Sequence, residues 1–590
     1  MWAFIKTFFA TLLAILFSVL VIIFIIGAVI AGFSSKDVVP LSDNTVLKLT
    51  LDKPILEREI DNPFAELDLF VSSSSSLGLL EIKDAIKHAK TDDKIKGILL
   101  NLTSIEAGIV TIEEIRQALA DFKTSGKFVY AYSEFMSEGA FYLSSVADSV
   151  YLNPSGLMEF NGFSSEITFF KGTLDKLELK PEVFKVGEFK SAVEPFLFDK
   201  MSPASREQTT SFLYSIQNTL YHKIAESRKL TFEKVNHVSD SMLIRKPIDG
   251  VRLGMIDNTL YYDEVEDMIK KKLGVEKKEE LHLVSYKRYK ERIDSPEKEE
   301  EEKGKSENKI AVIIAQGDIN SGRGDDESIG SDRIAEELRS ARRDEKVKAI
   351  VLRINSPGGS SMASDVMWRE VKLAAEEKPV IASMGDVAAS GGYYIAMAAD
   401  TIVAEPHTIT GSIGVFGILL NAQDFFKNKL GVTFDGVKTG KFSDIGTVAR
   451  PLTDFERQVI QKEVEDIYDD FVQKAAEGRG MDKKEVFKVA SGRVWSGEQA
   501  KDRGLVDVLG NFNKAVELAA AAAHLGENYE LTYLPKKKDF VERLLHDFQD
   551  KITMLVSSTN TTFALERTYL QLEKKYNGIQ ARMPFEFKIR

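Results

Sequence analysis

Two α/β domains in tandem, behind an amino-terminal apolar span, are the fold class that this 590-residue sequence predicts. Three observations carry it. An uncharged run extends from Thr7 to Phe33, two long blocks repeat one strand-and-helix pattern at a fixed spacing, and a charged stretch over 287–309 separates them. With 44% hydrophobic residues the chain can bury more than one core.

The first element is the apolar run LLAILFSVLVIIFIIGAVIAGF, long enough to cross a hydrocarbon core of about 30 Å as a helix. It exceeds the apolar part of a cleavable signal, typically about 7–15 residues, so residues 1–36 read as a retained anchor. Lys6 precedes the span and Lys36 follows it, a balance that leans only slightly toward a cytoplasmic amino terminus. The bulk of the chain is then expected outside the cytoplasm.

The blocks come next. IKGILLNLTSIEAG (95–108) matches VKAIVLRINSPGGS (347–360), and YLSSVADSVYLNP (142–154) matches YIAMAADTIVAEP (394–406). Asp148 and Asp400 stand 252 positions apart, as do Pro154 and Pro406, so the register holds through the elements between. Short apolar runs such as KAIVLRI, PVIASM and DTIVAEP alternate with helical patterns such as SDRIAEELRSARRD, the signature of β-α units around a mainly parallel sheet. The first repeat reads as 44–286, the second as 310–534. Between them, 287–309 is highly charged and almost devoid of apolar residues, and reads as a solvated linker. Residues 535–590 read as a helical, amphipathic tail.

Composition excludes several chemistries. A formal net charge of −12 argues against nucleic acid as a partner. The absence of cysteine removes thiolate catalysis, disulfides and cysteine zinc sites.

The chemistry lies where the repeats differ. NSPGG (355–359) aligns with TSIEA (103–107), so the second repeat carries a Pro-Gly-Gly turn that can aim backbone N–H groups outward, as in an oxyanion hole. In the same register Ser390, within MGDVAASGGYYIAMAADTI (384–402), aligns with Glu138. The hydroxyl and the glycine turn therefore travel together, which favours a nucleophile over a small core residue. A serine hydroxyl needs a base. His407 is the near histidine in sequence, at a proline-containing strand end. A lysine would have to be buried to lose its proton near neutral pH, and Lys190 in VFKVGEFKSAVEPF (183–196) has a partly apolar setting. Aligning Gly187 with Gly440 places Ser443 opposite Lys190, so each repeat holds one half of a site and the site is expected between them.

The motifs INSPGG, ASGGYY and GEFKSAVEPF, the duplication and the apolar span together resemble the long form of the signal peptide peptidase A (protease IV) family over nearly the whole chain. The resemblance implies a ClpP/crotonase-like fold in both repeats and a serine endopeptidase that degrades cleaved signal peptides and other apolar peptides through an acyl-enzyme. It implies Ser390 as nucleophile, Lys190 as general base, the N–H groups of Gly359 and Gly391 as oxyanion hole, and Ser412 as a lysine-orienting hydroxyl. It implies no cofactor, a homotetramer, and a single-pass protein of the bacterial inner membrane with its catalytic domains on the periplasmic side. A non-catalytic scaffold of the same fold and an acyl-CoA enzyme using paired N–H groups are the competing readings.

Overall fold

The computed structural model describes residues 41–60, 75–294, 306–537 and 579–583, with scattered helical residues between 2 and 21. The greater part of the Thr7–Phe33 run lies outside the described residues; among those described, no helix is long and apolar enough to cross a membrane.

The first repeat and the segment after it contribute β1 (Thr45–Leu49), β2 (Ile55–Leu56), β3 (Leu77–Gly78), β4 (Ile95–Asn101), β5 (Phe128–Met136), β6 (Ser149–Met158), β7 (Lys180–Lys185), β8 (Asn258–Thr259) and β9 (Leu283–Ser285). The second contributes β10 (Lys309–Gln316), β11 (Asp318–Asn320), β12 (Ser328–Gly330), β13 (Val347–Ser356), β14 (Gly358–Ser360), β15 (Val380–Ala389), β16 (Thr401–Ala404), β17 (Ile409–Gly411), β18 (Phe416–Asn421), β19 (Val494–Ser496), β20 (Val508–Leu509) and β21 (Glu530–Leu534). A last strand, β22, covers Gln580–Arg582.

The duplication is visible in the pairing. Sheet one runs β9-β1-β4-β5-β6-β8, and sheet two runs β21-β10-β13-β15-β16-β20, parallel throughout both paths. The central strands are nearly continuous apolar runs because helices cover both faces; Ile98, Leu99, Leu100, Val351 and Leu352 are all fully buried. One difference positions the site. β6 is unbroken, whereas its counterpart is split into β16 and β17, so β15 pairs first with β16 at Ile381–Ser383 and then with β17 at Val387–Ala389. The fork opens immediately before Ser390.

Three features depart from the sequence expectations. Residues 287–293, read as the start of the solvated linker, belong to the helix Tyr286–Ile293, because Tyr286 and Tyr289 turn inward from an otherwise charged stretch; residues 295–305 lie outside the described set. Residues 579–583, read as part of a helical tail, include the strand β22, since backbone partners far away in the chain are available to them; 538–578 lie outside the described residues. Finally, β7, assigned to the first repeat, pairs antiparallel with β18 of the second. It closes a third sheet, β12-β11-β14-β22-β18-β7, which belongs to neither repeat alone.

Buried charge also ties the repeats together. The Arg353 guanidinium, on β13 and fully buried, is 2.8 Å from a carboxylate oxygen of Glu57 and 2.8 Å from one of Glu114. Removing one partner from such a group typically costs about 3–5 kcal/mol, because the remaining charge is stranded. Asp386, on β15, accepts from the backbone N–H of Val110 at 2.7 Å, that of Thr111 at 3.1 Å and the Thr111 hydroxyl at 2.6 Å. These are the first residues of the helix Ile109–Lys123, so the strand that ends at Ser390 is anchored to the first repeat through a helix amino terminus.

Candidate active site

β15 ends at Ala389 and the helix Gly391–Ala396 begins two residues on, leaving Ser390 alone at the turn. Its φ of 55° and ψ of −111° are unusual for a residue with a side chain, a strain of order 1–3 kcal/mol that the surrounding structure must hold. The backbone supplies part of that hold: Ser390 N–H donates to Gly411 O at 2.8 Å, at the end of β17. The side chain is not spent on capping its own helix. Its hydroxyl is free to face the other repeat.

Lys190 faces it there. After β7 the chain turns at Gly187, where Phe189 N–H donates to Ser491 O at 3.0 Å, and Lys190 enters the short turn of helix Ser191–Val193. Its amine donates to Ser390 Oγ at 2.7 Å, Ser412 Oγ at 3.1 Å and Ser412 O at 3.3 Å. Lys190, Ser390 and Ser412 are all 0% exposed. Burial, with no carboxylate among its described partners, pushes the Lys190 amine well below the usual lysine range. Lowering the amine's pKa raises the fraction that carries a free lone pair, which is what a base needs.

The glycine turn lies on the other side of Ser390. Ser356 Oγ accepts from Gly358 N–H at 3.1 Å and donates to Gly317 O at 2.6 Å, which folds the Pro-Gly-Gly segment back over the strand end. Gly358 has φ 98°, and a methyl on it would stand 2.7 Å from the Gly391 nitrogen, so no side chain fits there. The segments bearing Gly359 and Gly391, expected as the oxyanion pair, are thus packed directly against each other beside Ser390.

Other sequence candidates fall elsewhere. His407 is buried beside Tyr142, ring centroids 6.5 Å apart, and neither ring nitrogen has a hydrogen-bond partner among the described residues. Burial, followed by the Lys223 charge, pushes its pKa down to about 3. Ser390 bonds to Lys190 instead. Ser443 sits in an exposed turn with its hydroxyl on Gly440 O at 2.9 Å. Glu138, at the position matching Ser390, accepts from Tyr221 OH at 2.9 Å, Gly162 N–H at 2.9 Å and Asn161 N–H at 3.2 Å.

Sequence reasoning missed the cradle around Lys190. Gly492 packs so closely that a methyl on it would stand 2.6 Å from Lys190 Cβ. Gln208 Nε2 donates to Phe189 O and to Ser191 Oγ, both at 2.9 Å, while its oxygen accepts from Val494 N–H at 3.2 Å. The Arg493 guanidinium lies over the Phe189 ring at 4.6 Å. SGRVWSG (491–497) shows no pattern that marks it as a lysine cradle, and a lone glutamine on a helix carries no chemical signature, so no signal in the sequence pointed to either.

With this geometry in hand, comparison with known proteins is decisive. A family model described as "Peptidase family S49" matches residues 121–276 and again 372–526. The chain belongs to peptidase family S49. It is a serine protease, and the two S49 matches fall on the two repeats. Among S49-type relatives, Protease 4 of Salmonella typhi is 36% identical over 506 residues, 83% of this chain and 79% of that protein. Protease 4 of Haemophilus influenzae is 36% identical over 452 residues, covering 75% and 72%. The chloroplastic serine protease SPPA of Arabidopsis thaliana is 35% identical over 465 residues, covering 78% and 68%. Among solved structures, ClpP1 from Listeria monocytogenes overlays 34% of this chain and 91% of its own at 18% identity, with a TM-score of 0.23, too loose for an argument to rest on it.

Proposed function

We propose that this S49 protease is a membrane-anchored endopeptidase using a Ser390–Lys190 dyad, and that it degrades cleaved signal peptides and other apolar peptides. The observation that carries the dyad is the 2.7 Å contact between a buried amine and a buried hydroxyl, with no carboxylate among the amine's described partners. Neutral Lys190 takes the Ser390 proton as Oγ attacks the peptide carbonyl. The tetrahedral oxyanion is held by the N–H groups of Gly359 and Gly391, and collapse passes the proton from Lys190 to the leaving amine. Water then repeats the sequence on the acyl-enzyme and frees Ser390. Ser412, bonded to the same amine, keeps it aimed at Ser390 Oγ.

The apolar run Thr7–Phe33 supports anchoring in a bacterial inner membrane with the two repeats outside the cytoplasm. Exposed apolar side chains on one segment of the second repeat, Val432, Phe434, Val437 and Phe442, support assembly into a tetramer. Light scattering of the detergent-solubilised protein tests that assembly.

The dyad is tested with a fluorophosphonate probe on the full-length protein. Labelling at Ser390 is expected in the wild type and lost in Ser390→Ala, with peptide turnover falling roughly 1,000-fold or more and the melting curve unchanged. Wild-type turnover by folded Ser390→Ala would overturn the reading. Disappearance of synthetic signal peptides, followed by mass spectrometry against a polar control peptide, tests the substrate class.

A further inference from the structure

We propose that Gln208 is a positioning residue for the Ser390–Lys190 pair, its one buried amide stapling the turn that presents the amine to the segment that holds Ser412. The proposal rests on the dyad reading above. Lys190 stands at the centre of a γ-turn: its φ of −75° and ψ of 76° lie near the values of that turn, and Ser191 N–H donates across it to Phe189 O at 2.8 Å. A single bond of this kind is a weak hold on a base that must be aimed to within about 0.5 Å. Gln208, on the helix Pro203–Arg228 and fully buried, grips both ends of the turn, its Nε2 donating to Phe189 O and to Ser191 Oγ, each at 2.9 Å. Both amide protons are spent there.

The amide oxygen ties the turn to the second repeat. It accepts from Val494 N–H at 3.2 Å, and Val494 opens β19, which pairs antiparallel with β17 at Gly411. Beside that pair Ser412 N–H donates to Arg493 O at 2.7 Å, Gly492 N–H to Ile413 O at 2.8 Å and Ser390 N–H to Gly411 O at 2.8 Å. Phe189 N–H donates to Ser491 O at 3.0 Å. Residues 491–494 thus hold the backbone of Ser412 directly and that of Phe189 at one end, while the Gln208 amide spans the other end from Phe189 O to Val494 N–H. Without it, the backbone tie between the turn and this segment among the described residues is the Ser491 bond alone.

The residue type follows from the partners. Phe189 O can only accept and Val494 N–H can only donate, so the group between them must offer a donor and an acceptor together. A carboxylate lacks the donor and an ammonium lacks the acceptor; the glutamine amide supplies both in one plane. The next polar contacts of the same helix with the second repeat have other partners: Ser211 Oγ accepts from Gln499 Nε2 at 3.1 Å, and the Ser215 and Ser496 hydroxyls lie 2.7 Å apart. Those residues dock the helix, whereas Gln208 docks the base.

The test uses the full-length protein in detergent, a fluorogenic apolar peptide and a fluorophosphonate, with the variants Gln208→Leu, Ser191→Ala, the two combined, and Ser211→Ala. Gln208→Leu is expected to lower kcat about 30-fold with KM held to within about twofold, and to slow labelling of Ser390 in proportion. Ser191→Ala, which removes one of the three bonds, should lower kcat about threefold, and the double variant should match Gln208→Leu because both changes act through one contact. Ser211→Ala gives up a docking bond of the same kind and should keep the wild-type kcat. The deficit of Gln208→Leu should persist at alkaline pH, since the amine is misaimed rather than protonated. A kcat for folded Gln208→Leu within about twofold of wild type, an equal deficit in Ser211→Ala, a deficit that closes at alkaline pH, or additive losses in the double variant would each overturn the proposal and leave the protease reading intact. If Gln208→Leu fails to melt cooperatively, an unchanged kcat in Ser191→Ala overturns it alone. Absence of hydrolysis and labelling in the wild type itself would instead mark failure of the Ser390–Lys190 reading, and the proposal would fall with it.

Discussion

The turn at Glu138 and the turn at Ser390 occupy the same place in two copies of one sheet, and they differ in nearly everything that matters for chemistry. In the first repeat, Ser137 caps the helix Glu138–Ser144 with an ordinary φ of −68°, its hydroxyl accepting from Ala140 N–H at 3.3 Å. The Glu138 carboxylate is absorbed by Tyr221, Asn161 and Gly162. In the second repeat the turn is strained to φ 55°, and the hydroxyl at its apex bonds to an amine from across the molecule. The scaffold is common to both. What separates a sealed turn from a reactive one is local strain, a glycine turn packed against the nucleophile, and a buried amine from the other repeat.

The most forceful way to break that comparison is to remove the imported amine. Lys190→Met is expected to cost peptide turnover roughly 1,000-fold or more, yet to stabilise the fold by about 1–3 kcal/mol, since an apolar chain of similar length suits the buried site better. The stability gap carries a pH signature. Lys190 has a folded pKa below its unfolded value, so its penalty is full below the folded pKa and fades as pH rises toward the unfolded one near 10.5. Urea titrations of both proteins from pH 6 to 10 should therefore converge at the alkaline end; a constant gap would mean burial does not set the amine. In the same range kcat/KM of the wild type should rise with pH as the amine loses its proton. Adding Ser443→Lys to Lys190→Ala should rescue nothing, because position 443 is in an exposed turn.

The glycine pair comes next. A methyl on Gly359 would stand 2.1 Å from Ile319 O, so Gly359→Ala is expected to displace the N–H and lower kcat by about 100-fold. The matching change in the first repeat, Ala107→Gly, should leave kcat untouched. Equal effects from the two would deny that only one turn is catalytic. A smaller loss is expected for Ser412→Ala, about tenfold in kcat with KM held, because the amine keeps Ser390 but loses one of the groups that aim it. A larger change in KM than in kcat would remove the orienting role.

The smallest effect on activity is expected from Glu138→Ser, which puts a hydroxyl where the second repeat has one. No second fluorophosphonate-reactive serine should result, since neither the strain nor an amine accompanies it. The change should instead cost about 1–3 kcal/mol of stability by leaving the Asn161 and Gly162 N–H groups unpaired, read as a lower denaturation midpoint.

Much of this was legible because duplication supplies its own control. The 252-residue offset aligned Ser390 with Glu138 and NSPGG with TSIEA, and the apolar runs marked the central strands of both sheets. Lys190 was legible for a chemical reason, as a lysine in a partly apolar setting that the other repeat had not kept. The helix Tyr286–Ile293 was hidden by its charge, because two inward tyrosines in eight residues weigh little against the lysines and arginines around them.

By itself, then, the sequence determined the two-domain α/β plan and which residues differ between the copies, through local periodicity and one fixed spacing, and the family, through the resemblance of the motifs INSPGG, ASGGYY and GEFKSAVEPF. Only the tertiary structure decided that a lysine 200 positions from Ser390 meets it at 2.7 Å inside one chain, that Asp386 and Arg353 lock the repeats in that relation, and that β7, β18 and β22 build a sheet belonging to neither. The reason is physical: a strand edge is satisfied by any backbone with free N–H and C=O groups, and a buried amine by any cavity that excludes carboxylates. Which distant segment supplies either is settled by packing, and no short pattern records it.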